Sequence, residues 1–294
     1  MNDVHPRESG FTKTTSIPLY WATYGPATSD RLLVLHGGPG AHHDYLLPQM
    51  LALAADRDLV FYDQRGGGRS KTDDRTPITW RTHVEDLDQV VRELELNSPT
   101  IVGYSWGGLL ALLYAIEAAA GRTQSRPSRL VLIDPAPVTR QFRQTFESEF
   151  ARRQNSLEVV RLREELAASG LREKDADTYR HRTFELSVAG YFADPRAAHD
   201  LTTFRVTGRV QASVWESLGD YDLTAPGLLD SISVPTLIVH GRQDPIPLAS
   251  SEAAARAMHA QFVVLEHSGH VPYVEQPAAL FEAVSAFLNS QPLS

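Results

Sequence analysis

The stretch Gly103-Tyr104-Ser105-Trp106-Gly107 constrains the fold of this chain more than any other, because of what flanks it. Thr100-Ile101-Val102 before it is a short β-branched run that reads as a buried strand. Leu109 to Ala120 after it is apolar and alanine-rich, and reads as a helix. A serine on so sharp a turn has its hydroxyl pushed out of the sheet, with a helix N-terminus behind it. That context turns a Gly-x-Ser-x-Gly match into a nucleophile hypothesis. Gly103 and Gly107 fit because side chains there would collide across the turn.

Three further features follow strand-like runs in the same way. His36-Gly37-Gly38-Pro39-Gly40 follows Leu32 to Leu35, Asp244 follows Thr236 to Val239, and His270 follows Phe262 to Leu265. All four sites fall just past the C-terminal ends of strands, where open α/β sheets place their sites. The order Ser, Asp, His is that of α/β-hydrolases and differs from the chymotrypsin and subtilisin orders.

The rest of the chain supports an α/β fold with a mostly parallel, doubly wound sheet and an inserted helical cap. Strand-like material within residues 12–24 is followed by alternating strands and helices. A helix-like stretch spans Asp44 to Ala55, and Leu59-Val60-Phe61-Tyr62 is the next strand. Trp80, Val84, Leu87, Val91 and Leu94 lie on one face of an amphipathic helix. Arg129 to Ile133 is a further strand. The strands are nearly continuous apolar runs, as in a sheet buried on both faces. The alternation stops after Pro137, and residues 138–230 read as helical, rich in Arg and Glu, with no obvious strand. It resumes with a strand at 234–239, a helix at 249–259, a strand at 262–265 and a final helix from Pro277 to about Leu288. The expected division is therefore a core of 1–137 and 231–294, with 138–230 as a lid over the serine.

The chemistry expected of such a set is acyl transfer. A serine hydroxyl is a poor nucleophile at neutral pH and needs a base within hydrogen-bond reach. His270 is expected to take the Ser105 proton and return it to the leaving group, with Asp244 holding the imidazole in the right tautomer. The oxyanion needs donors already in place. The backbone N–H of Trp106 is one, and the Gly37-Gly38 backbone is expected to supply the other. Asp134 also follows a strand and competes with Asp244, which is preferred for its later loop. His267, His240 and His36 compete with His270. His240 reads as a core histidine, His36 as orienting its glycine-rich loop, and His42 and His43 as surface residues. Asp63-Gln64-Arg65-Gly66-Gly67-Gly68-Arg69-Ser70 lacks dinucleotide and P-loop spacing, and reads as a tight turn pinned by an Asp63–Arg ion pair. No metal or organic cofactor is required.

The 294 residues carry a net charge of −8, which points away from a nucleic-acid partner. The absence of cysteine excludes disulfides, thiolate metal sites and a cysteine nucleophile. The polar N-terminus lacks the apolar core of a signal peptide, and no apolar run is long enough to span a bilayer. A cytoplasmic chain without a membrane partner is the default expectation, and the oligomeric state is left open.

With these residues assembled, the chain resembles the proline iminopeptidase branch of the α/β-hydrolases. The resemblance rests on His36-Gly37-Gly38-Pro39-Gly40, Asp63-Gln64-Arg65-Gly66, the Gly-x-Ser-Trp-Gly-Gly around Ser105, and the Asp244 and His270 loops. It implies release of an N-terminal residue, often proline, from small peptides, with cap carboxylates holding the free amine. Relatives of this type often place a Glu directly after the triad acid, where this chain has Pro245. Glu216, Asp220 and Asp222 are the candidate replacements, each with a plain surface or capping role as its rival. The expected function is a serine hydrolase acting through an acyl-enzyme on a small-molecule or short-peptide substrate, favoured as an aminopeptidase. A carboxylesterase or amidase without amine recognition is the alternative. A non-turnover ligand receptor on a hydrolase fold is the alternative of another class.

Overall fold

The computed structural model describes residues 4–73 and 75–290. Eight strands form one sheet: β1 (Glu8–Phe11), β2 (Tyr20–Tyr24), β3 (Arg31–Leu35), β4 (Asp58–Tyr62), β5 (Thr100–Tyr104), β6 (Arg129–Ile133), β7 (Thr236–Gly241) and β8 (Gln261–Leu265). Their spatial order is β1-β2-β4-β3-β5-β6-β7-β8. β1 and β2 pair antiparallel, as do β2 and β4, and every later pairing is parallel.

The parallel strands are apolar along their central residues because both faces of the sheet are covered. Leu33, Leu35, Ile101, Leu130, Leu132 and Ile238 enter one core, and Leu32, Val34, Val102, Val131, Ile133 and Val239 enter the other. The first core is covered by α2 (Trp80–Glu93) and α3 (Trp106–Ala119). Val84, Leu87 and Val91 are the buried positions of the expected α2 face, and Thr79 caps that helix through a reciprocal pair of bonds with Thr82. α3 is buried all round except at Glu117 and Ala119, which explains its unbroken apolar sequence.

Two elements differ from expectation. The Asp44–Ala55 stretch is a 3₁₀ turn (His43–Leu46), a single turn α1 (Leu47–Met50) and a second 3₁₀ turn (Leu51–Ala54). Pro48 has no N–H with which to continue a regular ladder through this segment. At the N-terminus, only Tyr20–Tyr24 of the residue 12–24 stretch is a strand. The additional strand β1 lies before it, mostly exposed at the sheet edge, and carries no apolar run to announce it.

Between β6 and β7 the chain runs through α4 (Arg140–Gln154), α5 (Leu157–Ala168), α6 (Leu171–Lys174), α7 (Ala176–Val188) and α8 (Gly208–Leu218), with short 3₁₀ turns after α7. Its arginines pair largely with neighbouring acids, including Arg143 with Glu147, Arg153 with Glu149 and Arg182 with Glu185. After β7 come α9 (Leu248–Met258), β8, the turn α10 (Pro272–Glu275) and α11 (Pro277–Asn289). Leu280, Val284 and Phe287 bury the α11 face in the second core.

Candidate active site

Ser105 sits between β5 and α3 with φ 52° and ψ −118°, a conformation side chains rarely adopt. Such strain costs about 1–3 kcal/mol and persists only where the surroundings over-determine it. Here the Ser105 N–H donates to the Ile133 carbonyl at 3.0 Å, and the Ser105 carbonyl accepts from Gly108, Leu109 and Ala136. The flanking glycines are required by space. A Cβ on Gly103 would lie 2.5 Å from the Gly107 carbonyl oxygen, and one on Gly107 would lie 2.2 Å from that of Leu35.

His270 follows β8 and Asp244 follows β7. The Ser105 hydroxyl is 2.9 Å from His270 Nε2, and His270 Nδ1 is 2.8 Å from Asp244 Oδ2. Asp244 Oδ1 also accepts the Ile246 N–H at 2.7 Å. Asp244 is thus the carboxylate on His270, and Asp134, its rival in sequence, accepts the Gly241 N–H instead. Burial lowers the His270 pKa to about 4, against the opposing pull of Asp134 and Glu275, so the imidazole is neutral at neutral pH. A neutral imidazole with Nδ1–H directed at Asp244 offers a lone pair to the serine.

The His270 loop is anchored on several sides. Tyr104, on the strand leading to Ser105, donates its hydroxyl to the His270 carbonyl at 2.9 Å, and the His270 N–H donates to the Tyr191 carbonyl at 2.7 Å. Glu275 accepts the N–H groups of Gly269 and Ala193, tying this loop to the segment after α7. Gln243 and Arg242 donate backbone N–H groups to the Ser268 and Leu265 carbonyls, joining the acid and base loops.

The oxyanion side needs one adjustment. Trp106 opens α3, so its N–H lies in the first helical turn beside Ser105. The Gly37 N–H is already given to the Tyr45 hydroxyl at 2.8 Å, which leaves the Gly38 N–H as that loop's candidate donor. Gly37 contributes space instead, since a Cβ there would stand 2.9 Å from the Ser105 Cβ. Sequence reasoning missed the group that joins the two loops. Gln64 is fully buried; its Nε2 donates to the His36 carbonyl and its Oε1 accepts the Trp106 indole N–H, both at 2.8 Å. Its sequence signal was its place in Asp63-Gln64-Arg65-Gly66, a motif that carried the resemblance without assigning Gln64 a role.

The histidines sort as follows. His36 donates from Nδ1 to the Gly37 carbonyl and accepts the Gln64 N–H at Nε2, in keeping with a loop-orienting role. His240 is a buried, hydrogen-bonded core residue as expected, bonded to Ile246 and Ser251. His43 is not a surface residue. It is fully buried, with Nδ1 2.7 Å from Asp63. Asp63 is thus held mainly by His43 and by the backbone of Arg69, and the Arg69 guanidinium stands farther off at 3.4 Å. Burial opposes its ionisation, yet the His43 hydrogen bond and charge hold the carboxyl well below its usual range.

Ser105 and His270 open into a cavity of about 150 Å³ lined by aromatic and aliphatic side chains, among them Tyr45, Tyr191, Phe204, Val206 and Tyr273. Gln211 is a polar side chain facing them, and among the described residues no carboxylate lines this space. Tyr191 and Gln211 also border a larger cavity of about 700 Å³ that carries Glu147, Glu216, Arg140 and Arg143. Of the three candidate amine acceptors, only Glu216 lines either cavity. Asp222 accepts from Thr224 within its own turn, and Asp220 is exposed. Glu147, which the sequence reading did not single out, stands with Glu216.

Among the described residues, no helix is long and apolar enough to cross a membrane. The proline iminopeptidase of Levilactobacillus brevis is 28% identical over 269 residues, covering 84% of each chain. The solved structure of a proline iminopeptidase from Mycobacterium smegmatis matches with a TM-score of 0.68 at 20% identity, over 96% of this chain and 97% of that one. An esterase from Exiguobacterium antarcticum matches with a TM-score of 0.67 at 23% identity, over 93% and 96%. The two solved structures bear on the fold alone, while the sequence is similar to that of proteins named proline iminopeptidase. The model of the alpha/beta hydrolase family matches residues 32–283, and with most of its length so matched this chain belongs to that family and is a hydrolase.

Proposed function

We propose that this protein is a serine hydrolase that forms an acyl-enzyme at Ser105, with residues 138–230 acting as a cap over the site. The observation that carries the reading is the unbroken hydrogen-bond chain from the Ser105 hydroxyl through His270 to Asp244, at the mouth of an apolar cavity. His270 Nε2 takes the hydroxyl proton as Ser105 Oγ bonds to the substrate carbonyl carbon. The Trp106 and Gly38 N–H groups receive the oxyanion. The imidazolium then gives its proton to the departing amine or alcohol as the carbonyl re-forms. Water then attacks the acyl carbon as His270 takes its proton, and the imidazolium returns that proton to Ser105 Oγ as the acyl–oxygen bond breaks and the acid leaves.

The favoured activity is that of a proline iminopeptidase-like aminopeptidase. Similarity to proteins of that name supports it, as does the size of the inner cavity, which suits one small apolar residue. In this reading the substrate's ammonium faces Glu216 and Glu147 across the Gln211–Tyr191 boundary. One observation favours a second reading, an esterase or amidase that ignores the amine: among the described residues, the space next to Ser105 holds no carboxylate.

The test is hydrolysis of prolyl- and alanyl-anilides beside short-chain p-nitrophenyl esters, with Ser105→Ala as the blank. Anilide cleavage that disappears when the amine is blocked is expected. Ester cleavage alone refutes amine recognition. Activity surviving in Ser105→Ala refutes the nucleophile.

A further inference from the structure

Behind the Ser105–His270–Asp244 chain stands a second acid that the reaction as described does not use. Asp134 follows β6 and is fully buried. Its Oδ1 accepts the Gly241 N–H at 2.7 Å, and its Oδ2 is a buried oxygen with no N–H or hydroxyl partner. Asp244 is its neighbour: one oxygen of each carboxyl and a nitrogen of His240 all lie within 4.8 Å of one another.

His240, the third member of this cluster, brings no positive charge to balance two anions. His240 has both nitrogens committed, Nε2 to the Ile246 carbonyl at 3.1 Å and Nδ1 to the Ser251 hydroxyl at 2.9 Å. Burial holds its pKa near 3, so it is neutral. Two carboxylates pressed together away from water do not both ionise. Asp244 already accepts two N–H bonds, from Ile246 and His270, and these favour its ionised form. Asp134 accepts one and has an oxygen left over.

We propose that Asp134 keeps its proton at neutral pH and donates it in a hydrogen bond from Oδ2 to the Asp244 carboxylate, acting as a positioning residue for the acid that orients His270. Burial and the adjacent Asp244 both push the Asp134 carboxyl well above the usual range; burial raises Asp244 as well, but there the bonds from Asp134 and the Ile246 N–H pull the other way. The other titratable groups acting on the pair are His270, the Tyr104 and Tyr273 hydroxyls, Arg153 and Glu275. The leftover oxygen of Asp134 is thereby accounted for, and Asp244 gains a third donor that fixes its carboxylate plane.

The first test needs no substrate, so it stands or falls apart from the proposed activity. Infrared spectra of the wild-type protein at neutral pH are expected to contain the carbonyl stretch of an un-ionised carboxylic acid. That band is lost in Asp134→Asn and also in Asp134→Ala, which adds no bulk should the amide fail to fold. Absence of the band from the wild type, or its survival in a folded variant, overturns the proposal.

The kinetic test rests on the hydrolase reading. Asp134→Asn keeps a neutral donor and is expected to preserve kcat and the acid limb of the pH profile. Asp134→Ala is expected to lower kcat by roughly tenfold, the scale of one charge-assisted hydrogen bond. Its acid limb is expected to move to higher pH, because an Asp244 without its donor holds the imidazolium proton more tightly. If Asp134→Asn instead moves the limb to lower pH, Asp134 was an anion and the proposal fails. Identical profiles for Asn and Ala also refute it.

Discussion

Gln64→Leu probes the strongest structural claim about the oxyanion side, that one buried amide holds both loops in place. Leucine fits the volume but removes two hydrogen bonds at 2.8 Å, stranding the Trp106 indole N–H and the His36 carbonyl. Gln64 and His36 are fully buried and Trp106 is 1% exposed, so water cannot substitute. Each stranded group costs about 1–3 kcal/mol, for a total of roughly 2–6 kcal/mol if the two add. Against a typical stability of about 5–15 kcal/mol, the folded protein should survive with a clearly lowered urea midpoint. The catalytic effect should be separable from this loss. In the proposed mechanism Trp106 donates from its backbone to the oxyanion, and its indole donates to Gln64, so releasing the indole loosens that donor without touching the serine. We expect kcat to fall roughly tenfold to a hundredfold, below the full loss of an oxyanion donor, with KM little changed. Gln64→Glu keeps the acceptor for the indole but sets an oxygen against the His36 carbonyl. It should recover stability as pH falls and the introduced carboxyl becomes a donor. Urea unfolding followed by tryptophan fluorescence, with steady-state kinetics on the same preparations, measures both effects. A Gln64→Leu protein within about 0.5 kcal/mol of wild type, the range of an ordinary surface substitution, refutes the reasoning.

Asp244→Asn should cut kcat by roughly 10⁴-fold while Asp134→Asn stays near wild type, and the reverse ranking would move the acid to β6. Because burial lowers His270 to about 4, its proton-accepting form persists well below the usual histidine range. Hydrolysis should therefore decline only as pH falls toward that value, and a limb near 6.5 in kcat/KM contradicts the desolvated base. Gly241→Ala places a Cβ 2.1 Å from the Gly269 carbonyl oxygen, where the acid and base loops touch. It should lower stability by about 1–3 kcal/mol or more and kcat with it, and an unchanged urea midpoint would show that the loops can part freely. Glu216→Gln should raise KM roughly tenfold or more for substrates with a free amine and leave blocked ones unaffected. Equal effects on both would remove Glu216 from amine recognition.

Much of this protein was legible from residue order alone. A parallel sheet buried on both faces demands apolar runs, so β3 to β8 were visible along the chain. Ser105, Asp244 and His270 each follow such a run, and the parallel topology brings those strand ends to one edge. Tight glycine contacts marked the turn at Ser105 for the same reason, because backbone must pass within the radius of a side chain. Other features depended on distances in space. β1 is an edge strand with little to bury, so it has no pattern to read. His43 looked like a loop-surface residue until Asp63, twenty positions away, was found against it. Gln64 acquired meaning only through Trp106 and His36, and Glu147 only through the cavity it shares with Glu216. Asp134 and Asp244 were rivals in sequence, since each follows a strand. Only the packing of β6 beside β7 made them neighbours, one on the histidine and the other behind it. Periodicity and backbone sterics are local and therefore written along the chain. Hydrogen-bond partners and the charge state of buried acids depend on groups that folding alone brings together.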